Sequence, residues 1–151
     1  MSTRSYIVIE KKRKSGEYYY EGVYCHWDGY PSYNGQILFN NYQDREKVEK
    51  LISLGDISSL AEEIETTDST HSFETPVEDV TVFYGRDRGE DGVGPKEVKL
   101  EDLASDVCIE YTYIYTLRDE WLCFAYSYLD RIARLADVLK NENILYPEDE
   151  S

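Results

Sequence analysis

Apolar and polar positions change period several times along the chain. Residues 6–10 (Tyr6-Ile-Val-Ile-Glu10) are β-branched and short, which predicts a first strand. A basic turn follows at Lys11-Lys-Arg-Lys-Ser-Gly16, and residues 18–25 return as a second strand, giving a hairpin. Residues 26–35 carry Gly29, Pro31 and Asn34-Gly35 and read as a loop with aromatics to pack it. Residues 36–42 suit a short helix. Asp44 is placed to cap a clearer one, with Val48, Leu51 and Ile52 on one stripe and Gly55 as its stop. Residues 58–64 suit one or two further helical turns. Residues 65–79 read as an exposed polar connection, 80–84 as a third strand, 85–95 as a glycine-rich charged loop and 99–104 as a short helix.

The clearest alternation lies in residues 107–116 and 121–126. A tip at Arg118-Asp119 sets Tyr113 opposite Phe124 and Tyr111 opposite Tyr126. One face is then aromatic (Tyr111, Tyr113, Tyr115, Leu122, Phe124, Tyr126), and the other carries Thr112, Ile114, Trp121 and Cys123. Residues 127–141 place Leu129, Ile132, Ala133, Leu135, Ala136 and Leu139 at helical spacing, a helix that covers the sheet. Together these elements predict a single α+β domain over residues 1–146. It has an antiparallel sheet of about five strands packed against helices in two layers, followed by a short acidic tail at 147–151.

Composition changes the picture in three ways. Fifteen of 151 residues are Tyr, which favours half-buried sheet faces and contact surfaces over a dry interior. The net charge is −15, and it is unevenly placed: residues 1–50 carry a net +1 and residues 51–151 carry −16. Such a field repels phosphate backbones and anionic membranes and attracts basic surfaces, so neither direct nucleic-acid binding nor membrane binding is expected. The cysteines Cys25, Cys108 and Cys123 lack CxxC spacing and read as reduced, partly buried small hydrophobes, as in a cytoplasm. No apolar run reaches membrane-spanning length.

Three groups of residues carry candidate chemistry. His26, Trp27, Asp28 and Tyr30 put an imidazole, a carboxylate and two aromatic rings into one loop, the raw material of acid–base work or ring stacking. The same loop also suits a purely structural role, stapled by its aromatics. Arg86 and Arg88, leaving a strand end beside Gly89, suit a clamp for phosphate or carboxylate, or internal pairing with the acids around them. The third group is acidic: Glu62, Glu63, Glu65, Asp68, Glu74, Glu78, Asp79, Asp87, Glu90 and Asp91, among which the only cations are Arg86 and Arg88. Carboxylates spread over an ordered face can imitate phosphate spacing; the same acidity also suits plain solubility. No catalytic set, metal site or cofactor is expected: GxSxG and calcium-loop spacings are absent, and His26 and His71 lie far apart.

The segments Tyr24-Cys-His-Trp-Asp-Gly-Tyr-Pro and Tyr84-Gly-Arg-Asp-Arg-Gly-Glu-Asp91, with Leu54-Gly-Asp-Ile-Ser-Ser-Leu60 between them, resemble a set of small uncharacterised proteins of bacteriophages and prophages. The resemblance covers roughly half the chain and implies no activity. What it implies is a setting, the cytoplasm of an infected or lysogenic bacterium, where small acidic phage proteins bind and block host machinery. The expected function is therefore a non-enzymatic inhibitor of a basic host protein in a nucleic-acid-handling or defence complex, acting by nucleic-acid mimicry. The alternatives are a nucleotide-binding module built from the 26–30 and 86–91 loops, and a small hydrolase using His26 and Asp28.

Overall fold

The structure, a computed structural model, describes residues 2–147; the acidic tail beyond Pro147 lies outside the described residues. The N-terminal hairpin forms as the sequence predicts. Strand β1 (Ser5–Lys12) pairs antiparallel with β2 (Tyr18–Cys25) from Ser5↔Cys25 to Lys12↔Tyr18. At its tip Arg13 lies over the Tyr19 ring at 4.1 Å and pairs with Glu97, and Lys11 pairs with Glu21 at 2.9 Å.

The α+β class holds, but the sheet is larger and more mixed than expected. Its strands run in the order β4 (Val82–Phe83), β3 (Ile57–Ser59), β2, β1, β6 (Tyr111–Tyr115), β7 (Trp121–Ala125), β8 (Ala133–Arg134). β5 (Lys96–Val98) joins the outer side of β2. β1 pairs parallel with β6, and β2 parallel with β3, so the antiparallel expectation is corrected at both junctions. The three strands missed (β3, β5, β8) are two or three residues long, too short to show an alternation, and β3 with the Glu63↔Val80 bridge replaces the helical turns expected over 58–64.

Helical cover lies on both faces, which corrects the two-layer reading. On one face α1 (Gln36–Asn41), α2 (Arg45–Ser53) and α5 (Leu135–Lys140) bring Leu38, Val48, Leu51, Ile52, Leu135 and Val138 against Ile7, Ile9, Val23, Tyr113, Tyr115 and Cys123. On the other, α4 (Leu100–Ser105) lays Leu103 over Val8, Ile114 and Phe124. α2 begins at Asp44 as expected, without a side-chain cap bond, and stops at Gly55 (φ +86), where a Cβ would run into the Val93 carbonyl.

Two further expectations are overturned by local geometry. The β6–β7 loop has three residues, a turn closed by Asp119 N–H donating to Thr116 O at 2.9 Å with Asp119 left-handed (φ 58), instead of a two-residue tip. Pairing is therefore Tyr113↔Cys123 and Tyr111↔Ala125. The one-residue slip moves Trp121 and Cys123 onto the tyrosine face and Phe124 to the opposite one. The long C-terminal helix is likewise cut short. Leu129 packs toward the α4 face while Leu135 and Val138 enter the other core, so no single helix serves both. Most tyrosines are half-buried or exposed, as composition implies, but Tyr42, Tyr113 and Tyr115 are fully buried, with hydroxyls donating to the Ala61, Gly29 and Gln43 carbonyls at 2.7, 2.5 and 3.1 Å. Each ring fills the core while its hydroxyl satisfies a loop carbonyl that would otherwise be unpaired.

Candidate functional site

The chain leaves β2 through His26 and Trp27, whose backbone N–H groups donate to the Ile57 and Ser58 carbonyls at 3.0 and 3.1 Å. It then turns through Asp28 (φ 56) and Gly29, which lies so close to β1 that a Cβ there would sit 2.7 Å from Ser5 Cβ. From behind, Tyr113 Oη holds Gly29 O, and Asn34 Nδ2 donates to Trp27 O at 3.0 Å and to Cys25 Sγ at 3.4 Å. Residues 31–35, expected as loop, coil into a wide helical turn that runs into α1. Clamped at the back, the loop projects the Trp27 ring outward, 44% exposed.

The second candidate loop begins with one helical turn, α3 (Tyr84–Arg88), ended by left-handed Gly89. Its two arginines have different fates. Arg86 faces inward: its guanidinium donates to Ile64 O at 2.5 Å, to Thr81 O at 2.9 Å and to both carboxylate oxygens of Asp87 at 2.9 and 3.1 Å. Arg88 stays outside, lying 5.0 Å over the Phe73 ring and 3.6 Å from Glu90.

The two loops meet. His26, Trp27, Ser58, Ser59, Phe73, Pro76, Val82, Tyr84 and Arg88 line one open trough of about 420 Å³ beside the β3–β4 end of the sheet. Of the ligand-binding candidates, His26, Trp27 and Arg88 are thus brought together; Asp28, Tyr30 and Arg86 do not line the trough. Tyr30 pairs instead with Tyr33, ring centres 6.0 Å apart. The sequence reading missed Phe73 and Tyr84, whose rings lie 5.8 Å apart. The available signal was a lone Phe inside an otherwise polar, acidic connection.

His26 Nδ1 is hydrogen-bonded to the Tyr24 hydroxyl at 2.7 Å, and its ring meets Trp27 edge-on at 4.6 Å. Partial burial and, after it, the charge of Arg4 lower its pKa, so the imidazole is neutral near pH 7. Among the described hydrogen bonds the partner of His26 is Tyr24 and not Asp28. Burial pushes the Cys25 thiol up to about 12 and the Cys123 thiol up as well, whereas Cys108 is exposed. A thiol-reactive probe is therefore expected to modify Cys108 rapidly in the native protein. Cys25 and Cys123 should react only on unfolding, which mass spectrometry of the labelled peptides measures directly.

Of the acidic candidates, Asp87 leaves the set. Its side chain is 6% exposed, accepts from Phe83 N–H at 2.8 Å, and lies 3.4 Å from His71 Nε2. Burial pushes its carboxyl up, but the hydrogen bonds from Arg86 and Phe83 N–H and the charges of Arg86 and His71 outweigh this and hold it below the usual carboxylate range. Glu65 pairs with Lys50 at 2.7 Å and Glu90 with Arg88. Glu62, Glu63, Asp68, Glu74, Glu78, Asp79 and Asp91 are exposed, and among the described residues none lies within ion-pair distance of a cation.

These acids sit on an ordered frame. Glu63 N–H donates to Asp79 O and Thr81 N–H to Glu63 O, at 2.9 and 2.8 Å, which fixes residues 62–65 alongside 78–81. The connection between them is tied by Val77 N–H donating to His71 Nδ1 at 3.0 Å and by Asp68 accepting from Thr70 N–H and Oγ1.

A scan against protein-family models and searches of curated proteins and solved structures returned no match to this chain. Among the described residues, no helix is long and apolar enough to cross a membrane.

Proposed function

We propose that this chain is an interaction protein that binds a cationic surface on another protein through the carboxylates of residues 62–91. The observation that carries the reading is the pairing of backbone order with unpaired charge. The backbones of Glu62, Glu63, Glu78 and Asp79 are fixed on two adjacent segments, and among the described residues their carboxylates form no ion pair, although Lys47 Nζ donates to the Glu62 backbone carbonyl at 2.8 Å. A merely solubilising surface needs no such fixed arrangement of like charges, which repel one another. A backbone already held in place loses little freedom when a partner docks, and the field of the carboxylates it carries speeds encounter. On the resemblance of its 24–31 and 84–91 segments, the partner is a basic host protein of a nucleic-acid-handling or defence complex in a phage-infected cytoplasm, and binding blocks it. The trough is less suited to a phosphate ligand, since Arg86 is occupied internally and Arg88 already faces Glu90.

The test is capture from bacterial lysate across a salt series. Specific basic proteins are expected at low salt, lost progressively as salt screens the contact. Capture of nothing at low salt, or of a partner indifferent to salt, contradicts the reading.

A further inference from the structure

We infer that His71 is a pH-sensitive latch: its neutral imidazole holds the acidic connection 66–78 in place, and protonation of the ring releases one limb of that connection. The consequence for binding rests on the reading of the acidic segment as the docking face, and adds regulation to it.

The geometry assigns the ring's hydrogen. The His71 side chain is 7% exposed and lies between Val77, on the far limb of the connection, and Asp87 of α3. Val77 N–H donates to Nδ1 at 3.0 Å, so Nδ1 offers its lone pair and carries no hydrogen. In a neutral ring the hydrogen is then on Nε2, which lies 3.4 Å from Asp87 Oδ2 and 3.4 Å from Arg86 Nη2. Both N–H groups of that Arg86 nitrogen are already used, on Thr81 O at 2.9 Å and on Asp87 Oδ2 at 3.1 Å. Nε2 therefore donates to Asp87 instead of accepting from Arg86.

Two features make this arrangement a latch. First, every other described hydrogen bond of residues 69–77 is local, reaching no farther than Asp68 or Val80. Through the imidazole the Val77 limb is tied to α3; the further contact there is the Phe73 ring against Tyr84 and Arg88. Second, the surroundings admit a positive ring. The charged groups facing it are Asp87 and Arg86 from α3, and Glu65 and Asp68 from the segment before it, three carboxylates against one guanidinium. A proton added at Nδ1 is attracted by those carboxylates, while Val77 N–H becomes a donor facing a donor. The ring then stays on Asp87, and the limb from Phe73 to Glu78 loses its tie to it. An imidazole changes charge between about pH 5 and 8, so the latch opens on acidification.

The test reads the wild type first, at about pH 8 and about pH 5.5, both above the ordinary carboxylate range. Nitrogen-15 NMR is expected to show His71 as the Nε2–H tautomer at the higher pH and as the charged ring at the lower. The Val77 amide, corrected for intrinsic exchange, is expected to lose protection about fivefold on acidification, the scale of one lost hydrogen bond. His71→Ala is expected to leave Val77 poorly protected at both pH values. An octa-arginine peptide, standing in for the cationic partner, is expected to bind the wild type roughly threefold more weakly at the lower pH, because the freed limb must be ordered again on docking. It should bind His71→Ala with nearly equal affinity at both. A hydrogen on Nδ1 at about pH 8, or Val77 protection that follows neither pH nor His71→Ala, overturns the latch. Val77 exchange that follows pH while octa-arginine affinity does not overturns its regulatory role. Absence of octa-arginine binding at both pH values contradicts the docking reading and that role with it, while Val77 exchange still decides the latch. The wild-type measurements suffice even if the variant fails to fold.

Discussion

Arg86→Ala is expected to lower the unfolding free energy by about 2–3 kcal/mol, while Arg88→Ala changes it by less than about 0.5 kcal/mol. The two residues are two positions apart and chemically identical, so the difference tests the placement of each side chain. Removing the Arg86 guanidinium leaves the Ile64 and Thr81 carbonyls without their donor and deprives the buried Asp87 carboxylate of its nearest charge. Leaving such groups unsatisfied costs more than the bonds themselves were worth. Arg88, 54% exposed, faces only a rim carboxylate and a ring. Chemical denaturation of the two variants is the measurement, and equal midpoints would contradict the assignment.

The same pair sets a pH dependence. Asp87 is held low in the folded protein, so its contribution to stability is present above the ordinary carboxylate range, near 4, and is lost as pH falls through its lowered native value. Without Arg86 that loss is expected to begin at higher pH.

These residues also mark how far the sequence could be read. Helix α2 was legible because Val48, Leu51 and Ile52 keep helical spacing and Gly55 must be glycine. The N-terminal hairpin was legible because its strands are long. β6 and β7 were legible as strands but not in register, since register depends on whether the turn between them holds two residues or three. The parallel pairing of β1 with β6 joins residues 106 positions apart, which no local pattern reports. In the site, His26, Trp27 and the arginines could be picked out by residue type. That Arg86 turns inward while Arg88 stays out depends on which carbonyls fold against α3. The trough depends on Phe73 and Tyr84 arriving from separate segments.

The second large effect concerns the acidic face. A variant carrying Glu62→Gln, Glu63→Gln, Glu78→Gln and Asp79→Asn is expected to bind a cationic partner roughly 30-fold or more weakly at low salt, from about 0.5 kcal/mol or more for each interfacial charge. Asn is chosen at position 79 because the backbone there is left-handed (φ 67), which Asn tolerates. The folded state should not suffer. The four carboxylates make no ion pair among the described residues, so their neutralisation relieves repulsion and leaves stability equal or slightly higher. Weaker binding without lower stability is the signature of charges kept for a partner.

Net charge alone could weaken binding to any cation, so the decisive comparison is with a second variant that loses four charges elsewhere. Glu46→Gln, Glu101→Gln, Asp102→Asn and Asp130→Asn change exposed acids on α2, on α4 and beside β8. The measurement is the affinity of octa-arginine for wild type and both variants across a salt series. The account predicts a large loss and a shallower salt dependence for the 62–79 variant, with near wild-type behaviour for the other. Equal losses in the two variants would contradict it, because the acidity would then act as a diffuse field and not as an ordered face.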